Sequence, residues 1–341
     1  MKKVVFLIAV AIAALPNAMA DGPIDLTSAV IVVAAYAPTA EQKAADMLAD
    51  EIEKRTFVRP AIANGVPADA QALIAVGTKE SLGKAAPALA GKVEKPGAAE
   101  GYTVRAIEGK PATVVIIGAD ARGTLFGVGR LLRELRMTRG SITLPNGIDV
   151  TSSPKVPLRG HQGGYRPKVN TYDGWTVDMY EQYIRDMIVF GTNVIELIPP
   201  RSDDAPDSPH FTLSPIDMLA RVSQLAIDYD IQFWIWYPAM DKDYGDKATV
   251  DKAIEEWAAV FEKAPRIDAL LVPGGDPGHT EPKYLMPLLE KQTENLHRTH
   301  PNAQMWMSPQ GFTKEWMDQW LAIMQKEQPK WLTGVAFAPQ N

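Results

Sequence analysis

Short apolar runs of strand length alternate with amphipathic segments of helix length from Leu158 to the C-terminus. The strand and helix pairs are Leu158–Tyr165 and Val177–Phe190, Asn193–Ile198 and Pro215–Tyr229, Gln232–Tyr237 and Val250–Lys263, Ala269–Val272 and Tyr284–Thr299, Gln304–Ser308 and Thr313–Gln325, followed by a last strand at Thr333–Ala338. Alternation with short connections predicts parallel strands joined by crossover helices. Both an open doubly wound sheet and a closed barrel satisfy this pattern.

Polar and aromatic side chains lie at or just beyond every predicted strand. They are Arg159, His161 and Arg166; Arg201, Asp203 and Asp204; Trp236, Tyr237 and Asp241; Asp276; Ser308 and Gln310; and Gln340. A ring of loops suits a (β/α)8-type TIM barrel better than a single crevice does, so we predict the barrel. A complete barrel takes about 250 residues. Only 185 run from Pro157 to Asn341, which predicts an incomplete barrel of about six strand–helix units.

Residues 21–150 have a different pattern and predict a small α+β domain before the barrel domain of residues 151–341. The predicted elements are a strand at Ala29–Ala35, a helix opening at Thr39, a strand at Ala72–Val76, a hairpin of Tyr102–Ile107 and Thr113–Ile117, and a helix from about Arg122. The glycines Gly123, Gly127 and Gly129 are in the wrong order for a dinucleotide-binding loop. We predict instead that these glycines allow the start of the helix to approach the strand closely. Leu144-Pro145-Asn146-Gly147 and Ser152-Ser153-Pro154 read as the linker.

Residues Met1–Ala20 have the pattern of a secretory signal peptide. Lys2 and Lys3 precede the apolar segment Val4–Leu15, and Ala18-Met19-Ala20 gives a small-x-small cleavage site. A membrane anchor is the competing interpretation, but the apolar segment is shorter than the roughly 20 residues that a bilayer span needs. We therefore predict an exported protein, periplasmic or extracellular, with no stable membrane span.

Composition excludes several classes of site. The formal net charge is −6 and no long basic run occurs, which argues against a nucleic-acid partner. The chain has no cysteine, so disulfides, thiolate nucleophiles and cysteine metal sites are impossible. His161, His210 and His279 fall on different loops without a metal-ligand spacing, so we predict no metal, and nothing points to a cofactor.

The stretch IDALLVPGGDPGHTEP, at Ile267–Pro282, predicts a strand that ends in a polar loop. The loop carries Asp276, His279 and Glu281. The carboxyl ends of barrel strands are where ligand-binding side chains converge, so Asp276 is a candidate for chemistry. The alternative is that its side chain only bonds the backbone of its own loop.

Two segments of the first domain, AEQKAADMLADEIEKRT and GYTVRAIEGKPATVVIIGADARGTLFGVGRLLREL, are similar to the non-catalytic domain of certain exo-acting glycoside hydrolases. The chain as a whole resembles the family 20 β-N-acetylhexosaminidases and, more loosely, the family 67 α-glucuronidases. In the hexosaminidases the fourth strand ends in Gly-Gly-Asp-Glu, where the Asp orients the substrate and the Glu is the general acid. Here the letters are Gly274-Gly275-Asp276-Pro277. The Asp carries over, but proline cannot donate a proton.

The resemblance implies hydrolysis of terminal glycosidic bonds, which needs a proton donor and a second carboxylate. Our candidates are Asp276, Glu281 and Glu196, since burial of Glu196 among apolar neighbours would raise its pKa. A buried ion pair of Glu196 with Arg159 is the alternative. Asp203 and Asp204 fit a solvated loop at least as well as a site.

Aromatic rings can stack on a sugar while polar neighbours bond its hydroxyls. Trp234 and Trp236 share one face of their predicted strand, and Trp236 lies nearer its end. The candidate carbohydrate-binding residues are Arg159, His161, Arg201, Asp203, Trp236, Tyr237, His279 and Gln310. A non-catalytic carbohydrate-binding protein on a barrel scaffold is the alternative function.

Overall fold

The computed structural model describes residues 22–145, 147–163, 172–198 and 208–337. The predicted signal peptide at Met1–Ala20 lies outside these residues. So do several predicted residues of the loop ring, namely Arg166, Arg201, Asp203, Asp204 and Gln340.

The first half of the chain forms two sheets and their helices. In chain order its elements are β1 (Ile24–Asp25), β2 (Ala29–Val32), α1 (Thr39–Thr56), β3 (Ala61–Ala63), β4 (Ala72–Thr78), α2 (Lys79–Ala85), α3 (Pro87–Ala90), β5 (Tyr102–Ile107), β6 (Ala112–Gly118), α4 (Ala121–Glu134), β7 (Arg136–Thr138), β8 (Ser141–Leu144) and β9 (Asp149–Ser152). The N-terminal sheet has the order β3-β2-β4-β6-β5-β9, and β1, β8 and β7 make a small antiparallel sheet.

Helices cover both faces of the N-terminal sheet. Strands β3, β2, β4 and β6 run parallel, while β5 and β9 complete the sheet in antiparallel fashion. The apolar stripes of α1 and α4 pack on one face, and α2 and α3 pack on the other. Both faces are therefore buried, which explains why strand sequences such as ALIAV at Ala72–Val76 are continuously apolar.

The second half alternates strands and helices as predicted. Its elements are β10 (Gly160–Gly163), a 3-10 turn (Tyr172–Gly174), α5 (Val177–Val189), β11 (Val194–Leu197), α6 (Pro215–Asp228), β12 (Gln232–Trp236), α7 (Lys247–Lys263), β13 (Ala269–Pro273), α8 (Pro282–His297), β14 (Gln304–Ser308), α9 (Lys314–Glu327) and β15 (Leu332–Val335). Side chains of Thr176, Ser214, Asp246 and Thr313 cap four of these helices. These caps fix where the helices begin.

The C-terminal sheet follows chain order from β10 to β15, and every neighbouring pair is parallel. A doubly wound sheet would require the strand order to reverse, whereas right-handed crossovers in unbroken order place all helices on one face. This arrangement is an α/β fold of the (β/α)8 type. Within the described residues its wall has six strands, which matches the predicted incomplete barrel.

Helix α4 joins the two halves by packing on α5. A Cβ on Gly129 of α4 would lie 2.8 Å from Val189 Cα, so only glycine allows this approach. Gly127 instead faces the sheet, where a Cβ would lie 2.6 Å from Ile116 Cγ2. The prediction that these glycines permit close packing is correct for Gly127. For Gly129 the neighbour is α5 rather than a strand.

A buried carboxylate makes a second connection between the halves. Glu100 accepts hydrogen bonds from Arg122 Nη1 at 2.9 Å, Arg159 Nη2 at 2.6 Å and Asn193 Nδ2 at 3.0 Å. Arg159 and Asn193 belong to the amino-terminal ends of β10 and β11. One hydrophobic core runs through both halves. The domain boundary at residue 150 stays a prediction.

Most predicted elements are confirmed within a few residues, and β5 and β14 have the bounds that the sequence predicts. Strand β9 (Asp149–Ser152) was not predicted. It lies between the two predicted linker stretches, overlaps the second at Ser152, and pairs with β5 at the edge of the N-terminal sheet.

Candidate active site

The face of the C-terminal sheet turned away from the helices is called the inner face. Residues paired across parallel strands point to the same face, and the face alternates along each strand. The inner-face residues include Gly160, Gln162, Val194, Glu196, Gln232, Trp234, Trp236, Ala269, Leu271, Pro273, Gln304, Trp306, Ser308 and Gly334. The opposite residues, such as Ile195 and Phe233, pack with the helices. Among the described strand residues, Glu196 is the single carboxylate on the inner face.

Glu196 is buried, with 9% of its surface exposed. Its Oε2 accepts a hydrogen bond of 2.6 Å from Gln162 Nε2, the residue opposite it in register on β10. Its Oε1 is buried and has no hydrogen-bond partner. Burial raises the pKa of Glu196 to about 7, and the Gln162 bond offsets only part of that rise. At neutral pH this group can therefore hold or release a proton.

The predicted ion pair of Glu196 with Arg159 does not form. Arg159 precedes β10, and its guanidinium bonds Glu100 Oε2 and the carbonyl oxygen of Gly191 at 2.6 Å each. Glu196 lies farther along the strands and is paired with a neutral amide. Because no cation lowers its pKa, the effect of burial dominates.

Tryptophan rings cover the inner face beside Glu196. Trp234 stands opposite Glu196 in register, and its ring centroid is 5.5 Å from that of Trp306. Each indole N–H donates to a glutamine two residues earlier, Trp234 to Gln232 at 2.9 Å and Trp306 to Gln304 at 2.8 Å. Trp234 is 7% exposed and packs against its neighbours, whereas the half-buried Trp306 presents part of a flat apolar ring.

Trp306 also leans on the last strand. A Cβ on Gly334 of β15 would lie 2.3 Å from a ring carbon of Trp306, so glycine is needed for the ring to lie there. Trp236 is on the inner face two residues beyond Trp234, as the two-residue period predicts. The aromatic surface therefore extends along the strands toward their carboxyl ends.

The loop after β13, residues 274–281, forms part of the rim at those carboxyl ends. It packs backbone to backbone on the loop after β14, where Gly274 N donates to Ser308 O and Gly275 N to Gln310 O, both at 2.8 Å. A Cβ on Gly275 would lie 2.7 Å from the backbone of Gly311, and one on Gly311 would lie 2.8 Å from Asp276 Cβ. Glycines on both loops thus hold Asp276 in place.

Asp276 is exposed on this loop. Within the described part of the chain no hydrogen bond or ion pair engages its carboxylate, so the alternative interpretation as a loop-bonding residue is not supported. His279 is exposed farther along the loop, with φ of 49°. Gln310 is half-buried on the adjoining loop. The structure therefore brings Asp276 and Gln310 close together at the rim, with His279 on the same loop.

Glu196 and Asp276 lie at different heights. Register places Glu196 level with Trp234 and thus with Ala269, four residues before the end of β13. At about 3.3 Å per residue, the end of β13 lies roughly 13 Å farther along the strands than Glu196. Strand β13 is also two strand spacings, about 10 Å, from β11, which carries Glu196. Glu196 is deep in the inner face and Asp276 is at its mouth.

Three predicted site residues lie elsewhere. Arg159 is at the amino-terminal end of β10, whereas ligands of parallel barrels bind at the carboxyl ends. His161 is paired with Ile195 on the helix side and contacts Tyr183 of α5. Tyr237 is 3% exposed and stacks on Trp257 of α7 at 3.8 Å between centroids. These three residues lie away from the inner face, and their assignment to a carbohydrate site stays a prediction.

Glu281, a predicted catalytic residue, is engaged by two neighbouring side chains. Its carboxylate pairs with Lys283 Nζ and accepts from Gln319 Nε2, both at 2.8 Å. The hydrogen bond from Lys283, followed by that from Gln319, lowers the pKa of Glu281. A carboxylate held ionised in this way is a poor proton donor.

Sequence reasoning missed Gln162 and Gly311. Gln162 partners Glu196 through strand register, which no local pattern reveals. Gly311 follows Pro309-Gln310 after a strand, so a turn glycine was visible there, but its contact with Asp276 was not.

The described residues contain neither a membrane-spanning helix nor a group of metal ligands. None of their helices is long and apolar enough to cross a bilayer. No three of their His, Asp or Glu side chains are grouped so that they could hold a metal ion. The predictions of no metal and no cofactor stay predictions.

No protein-family model matches this chain, and a search of curated proteins also finds no match. Solved structures do match. A family 115 4-O-methyl-α-glucuronidase with specificity for decorated arabinogalactans superposes with a TM-score of 0.61 at 14% identity, over 89% of this chain and 44% of its own. A family 20 β-N-acetylglucosaminidase gives 0.58 at 16% identity, over 94% and 72%. A family 84 glycoside hydrolase gives 0.56 at 13%, over 83% and 46%.

These similarities establish the fold. The chain has a glycoside hydrolase fold resembling that of family 20, as the sequence predicts, and the α-glucuronidase among the matches belongs to family 115 rather than family 67. The chain spans about half the length of the family 84 and family 115 structures that it matches.

Proposed function

We propose that this chain is an exported glycoside hydrolase, or part of one, that cleaves terminal glycosidic bonds by carboxylate acid/base chemistry. The observation that supports this most directly is Glu196, a carboxyl group with a pKa raised to about 7 on an inner face lined with tryptophans. The shared fold with glycoside hydrolases supports the same proposal.

In this proposal Glu196 is the general acid. A carboxyl group that keeps its proton near neutral pH can donate it to the leaving glycosidic oxygen, as burial achieves in other glycosidases. The Gln162 amide fixes Oε2 at 2.6 Å, which leaves Oε1 as the oxygen free to carry and give the proton.

Trp234 and Trp306 would hold the sugar. The half-buried Trp306 is the ring proposed to stack on the apolar face of a pyranose, and the buried Trp234, 5.5 Å away between ring centroids, supports it from below. A face that is deep at Glu196 and open at Asp276 suits the end of a glycan chain, so we propose exo-cleavage.

Asp276 is proposed as a carboxylate that orients the substrate at the mouth of the inner face. Retaining glycosidases need a carboxyl separation of about 5 Å and inverting enzymes about 6.5 to 9.5 Å. Strand register separates Glu196 and Asp276 by more than either spacing, so Asp276 is not proposed as the direct catalytic partner of Glu196 and no stereochemical outcome is proposed.

The test is hydrolysis of a panel of aryl N-acetylhexosaminides, hexosides and glucuronides by the protein from Asp21 onward. Removing a general acid costs about 100- to 10,000-fold, and the loss is smallest when the leaving group needs no proton. Glu196→Gln should therefore lose most of its activity on 4-nitrophenyl glycosides and less on 2,4-dinitrophenyl glycosides. Asp276→Asn should lose activity on both, and proton NMR of the anomer first released distinguishes retention from inversion.

The matched control is Glu281→Gln, which removes a carboxylate of the same loop that already pairs with Lys283. It should keep near-normal turnover. A Glu196→Gln variant that matches the parent on both leaving groups would contradict the assignment of the acid.

A carbohydrate-binding protein without turnover is the second candidate. It is favoured by Pro277, which stands where the hexosaminidases have their acid, and by the ion pair that engages Glu281. In that case no substrate of the panel would be cleaved, while a bound sugar would still raise the melting temperature of the protein.

Export is part of the proposal and has its own readout. Expression of the full chain in a secreting host should give a mature protein that begins near Asp21, as measured by intact mass.

A further inference from the structure

The N-terminal sheet has its own crevice at the carboxyl ends of its parallel strands. After β2 the chain enters α1 on one face of the sheet, and after β4 it enters α2 on the opposite face. Strand β3 lies on one side of β2 and β4 on the other, so the strand order reverses here. Connections that diverge in this way leave a crevice outside the strand ends, the usual ligand position in open α/β sheets.

A cleft of about 390 Å³ occupies this position. It is lined from three strand ends by residues that include Tyr36, Asn64, Thr78, Glu80, Ser81 and Lys84. Tyr36 follows β2, Asn64 follows β3, and the others belong to the end of β4 and to α2. The cleft is therefore a consequence of the topology rather than of one loop.

The lining has the chemistry of a sugar site. The Tyr36 side chain is completely exposed at 100%, and it gives the cleft an aromatic surface. Asn64 supplies an exposed amide, and Thr78 a hydroxyl. The two charged residues form a pair, with Lys84 Nζ 3.8 Å from Glu80 Oε1, so the cleft offers no unpaired cation for an anionic group.

The wall of the cleft is held rigidly from behind. Glu41 is completely buried, and its Oε2 accepts from Ser81 Oγ at 2.5 Å. Ser81 Oγ in turn accepts from the Thr78 amide and hydroxyl at 3.1 and 3.0 Å. A Cβ on Gly77 would lie 2.7 Å from Ser81 Oγ, so glycine is required where the strand ends. A wall fixed before binding loses little freedom when a ligand is seated.

Glu41 also keeps an oxygen without a partner. Its Oε1 is buried and accepts no hydrogen bond, and burial raises the pKa of this carboxyl. Buried polar groups are nearly always satisfied, so this oxygen is an exception within the described residues, although Glu41 does not itself line the cleft.

We propose that this crevice binds a neutral sugar unit, stacked on Tyr36 and bonded by Asn64 and Thr78, as a second carbohydrate site separate from the inner face of the barrel. Because the one lysine of the lining is paired with Glu80, an acidic sugar would find no free cation in the lining. The inference does not depend on turnover by the barrel.

The test observes Tyr36 directly. The protein is labelled with 3-fluorotyrosine, and the fluorine resonance of Tyr36 is assigned by its absence in Tyr36→Phe. Diacetylchitobiose and cellobiose are the neutral probes, and glucuronic acid is the acidic probe. The neutral probes should shift the resonance saturably, while glucuronic acid should leave it in place.

Variants decide whether the shift reports the proposed contacts. Asn64→Ala should weaken binding about fivefold, the usual effect of one net hydrogen bond. Asn302→Ala, an exposed asparagine in the turn before β14, should bind like the parent. Glu196→Gln should leave the Tyr36 titration unchanged, which separates this site from the barrel.

A Tyr36 resonance that no neutral probe moves would overturn the inference, and so would equal binding by Asn64→Ala and its control. A shift that glucuronic acid alone produces would overturn the neutral-sugar assignment. A saturable shift in a protein that cleaves no aryl glycoside would support this inference even though the proposed catalytic function had failed.

Discussion

Replacing Glu196 by glutamine should make the protein more stable at alkaline pH. In the unfolded chain this carboxyl ionises near its ordinary pKa of 4.5, whereas burial in the folded protein raises the pKa to about 7. Each tenfold change in an ionisation constant is worth about 1.4 kcal/mol, so the difference amounts to about 3 kcal/mol. The side chain is 9% exposed, and little solvent screening reduces this figure.

The direction follows from where the proton is held. Between about pH 4.5 and pH 7 the folded protein keeps the Glu196 proton while the unfolded chain releases it. The folded state therefore binds more protons, and the contribution of Glu196 to the free energy of unfolding falls as pH rises through this window. Below the window the wild-type side chain is a neutral acid, and the glutamine of the variant is a neutral amide of similar shape. Above it the wild type alone contains a buried charge.

The assay is urea unfolding of wild type and Glu196→Gln at about pH 4 and about pH 8.5. The variant should match the wild type at the lower pH and exceed it by about 3 kcal/mol at the higher pH. Glu294→Gln, on an exposed face of α8, should follow the wild type at both. Parallel pH profiles for wild type and Glu196→Gln would show that the Glu196 pKa is ordinary and would refute the argument for a buried acid.

Two further substitutions test the rim and the joint between the halves. Gly311→Ala should destabilise the protein by about 1 to 3 kcal/mol and lower its turnover, because φ is 73° and the new Cβ would lie 2.8 Å from Asp276 Cβ. Gly140→Ala has the same φ but faces open space, so its melting temperature should fall less, and equal falls would contradict the packing argument. Arg159→Met should cost about 3 kcal/mol by leaving Glu100 short of a partner, and it should leave KM unchanged. A raised KM at unchanged stability would return Arg159 to the substrate site.

Elements with a strong internal period were predictable from the sequence. The apolar spacing of α1 and the short apolar run of β14 were sufficient to predict these elements. In both, the pattern of apolar residues within the segment shows which side chains are buried. Strand β9 (Asp149–Ser152) was missed since it is an edge strand with alternating exposure next to Pro145. Its strand character depends on pairing with β5, more than 40 residues earlier.

The site was predictable only where a single residue gave the signal. Glu196 stood out as a charge between apolar neighbours, and Asp276 as an acid after a glycine pair. The alternation of side chains between the two faces of a strand could have placed Tyr237, but it was not applied there. Because Trp236 points to the inner face, its neighbour Tyr237 points toward the helices. The pairing of Glu196 with Gln162 depends on register between strands, which the sequence does not express locally.

The hydrogen-bond partners of a buried carboxylate indicate whether that carboxylate has a structural or a functional role. Glu100 is buried with two arginines and an asparagine around it, and such a satisfied group stabilises the joint between the halves. Among the described residues, the buried carboxylate oxygens without a partner are Oε1 of Glu196 and Oε1 of Glu41. A glutamine at position 196 would fold more stably above pH 7, so stability alone does not account for the acid there. One carboxylate lies on the aromatic inner face and the other behind the crevice of the N-terminal sheet, which is why both proposals are made at these two places.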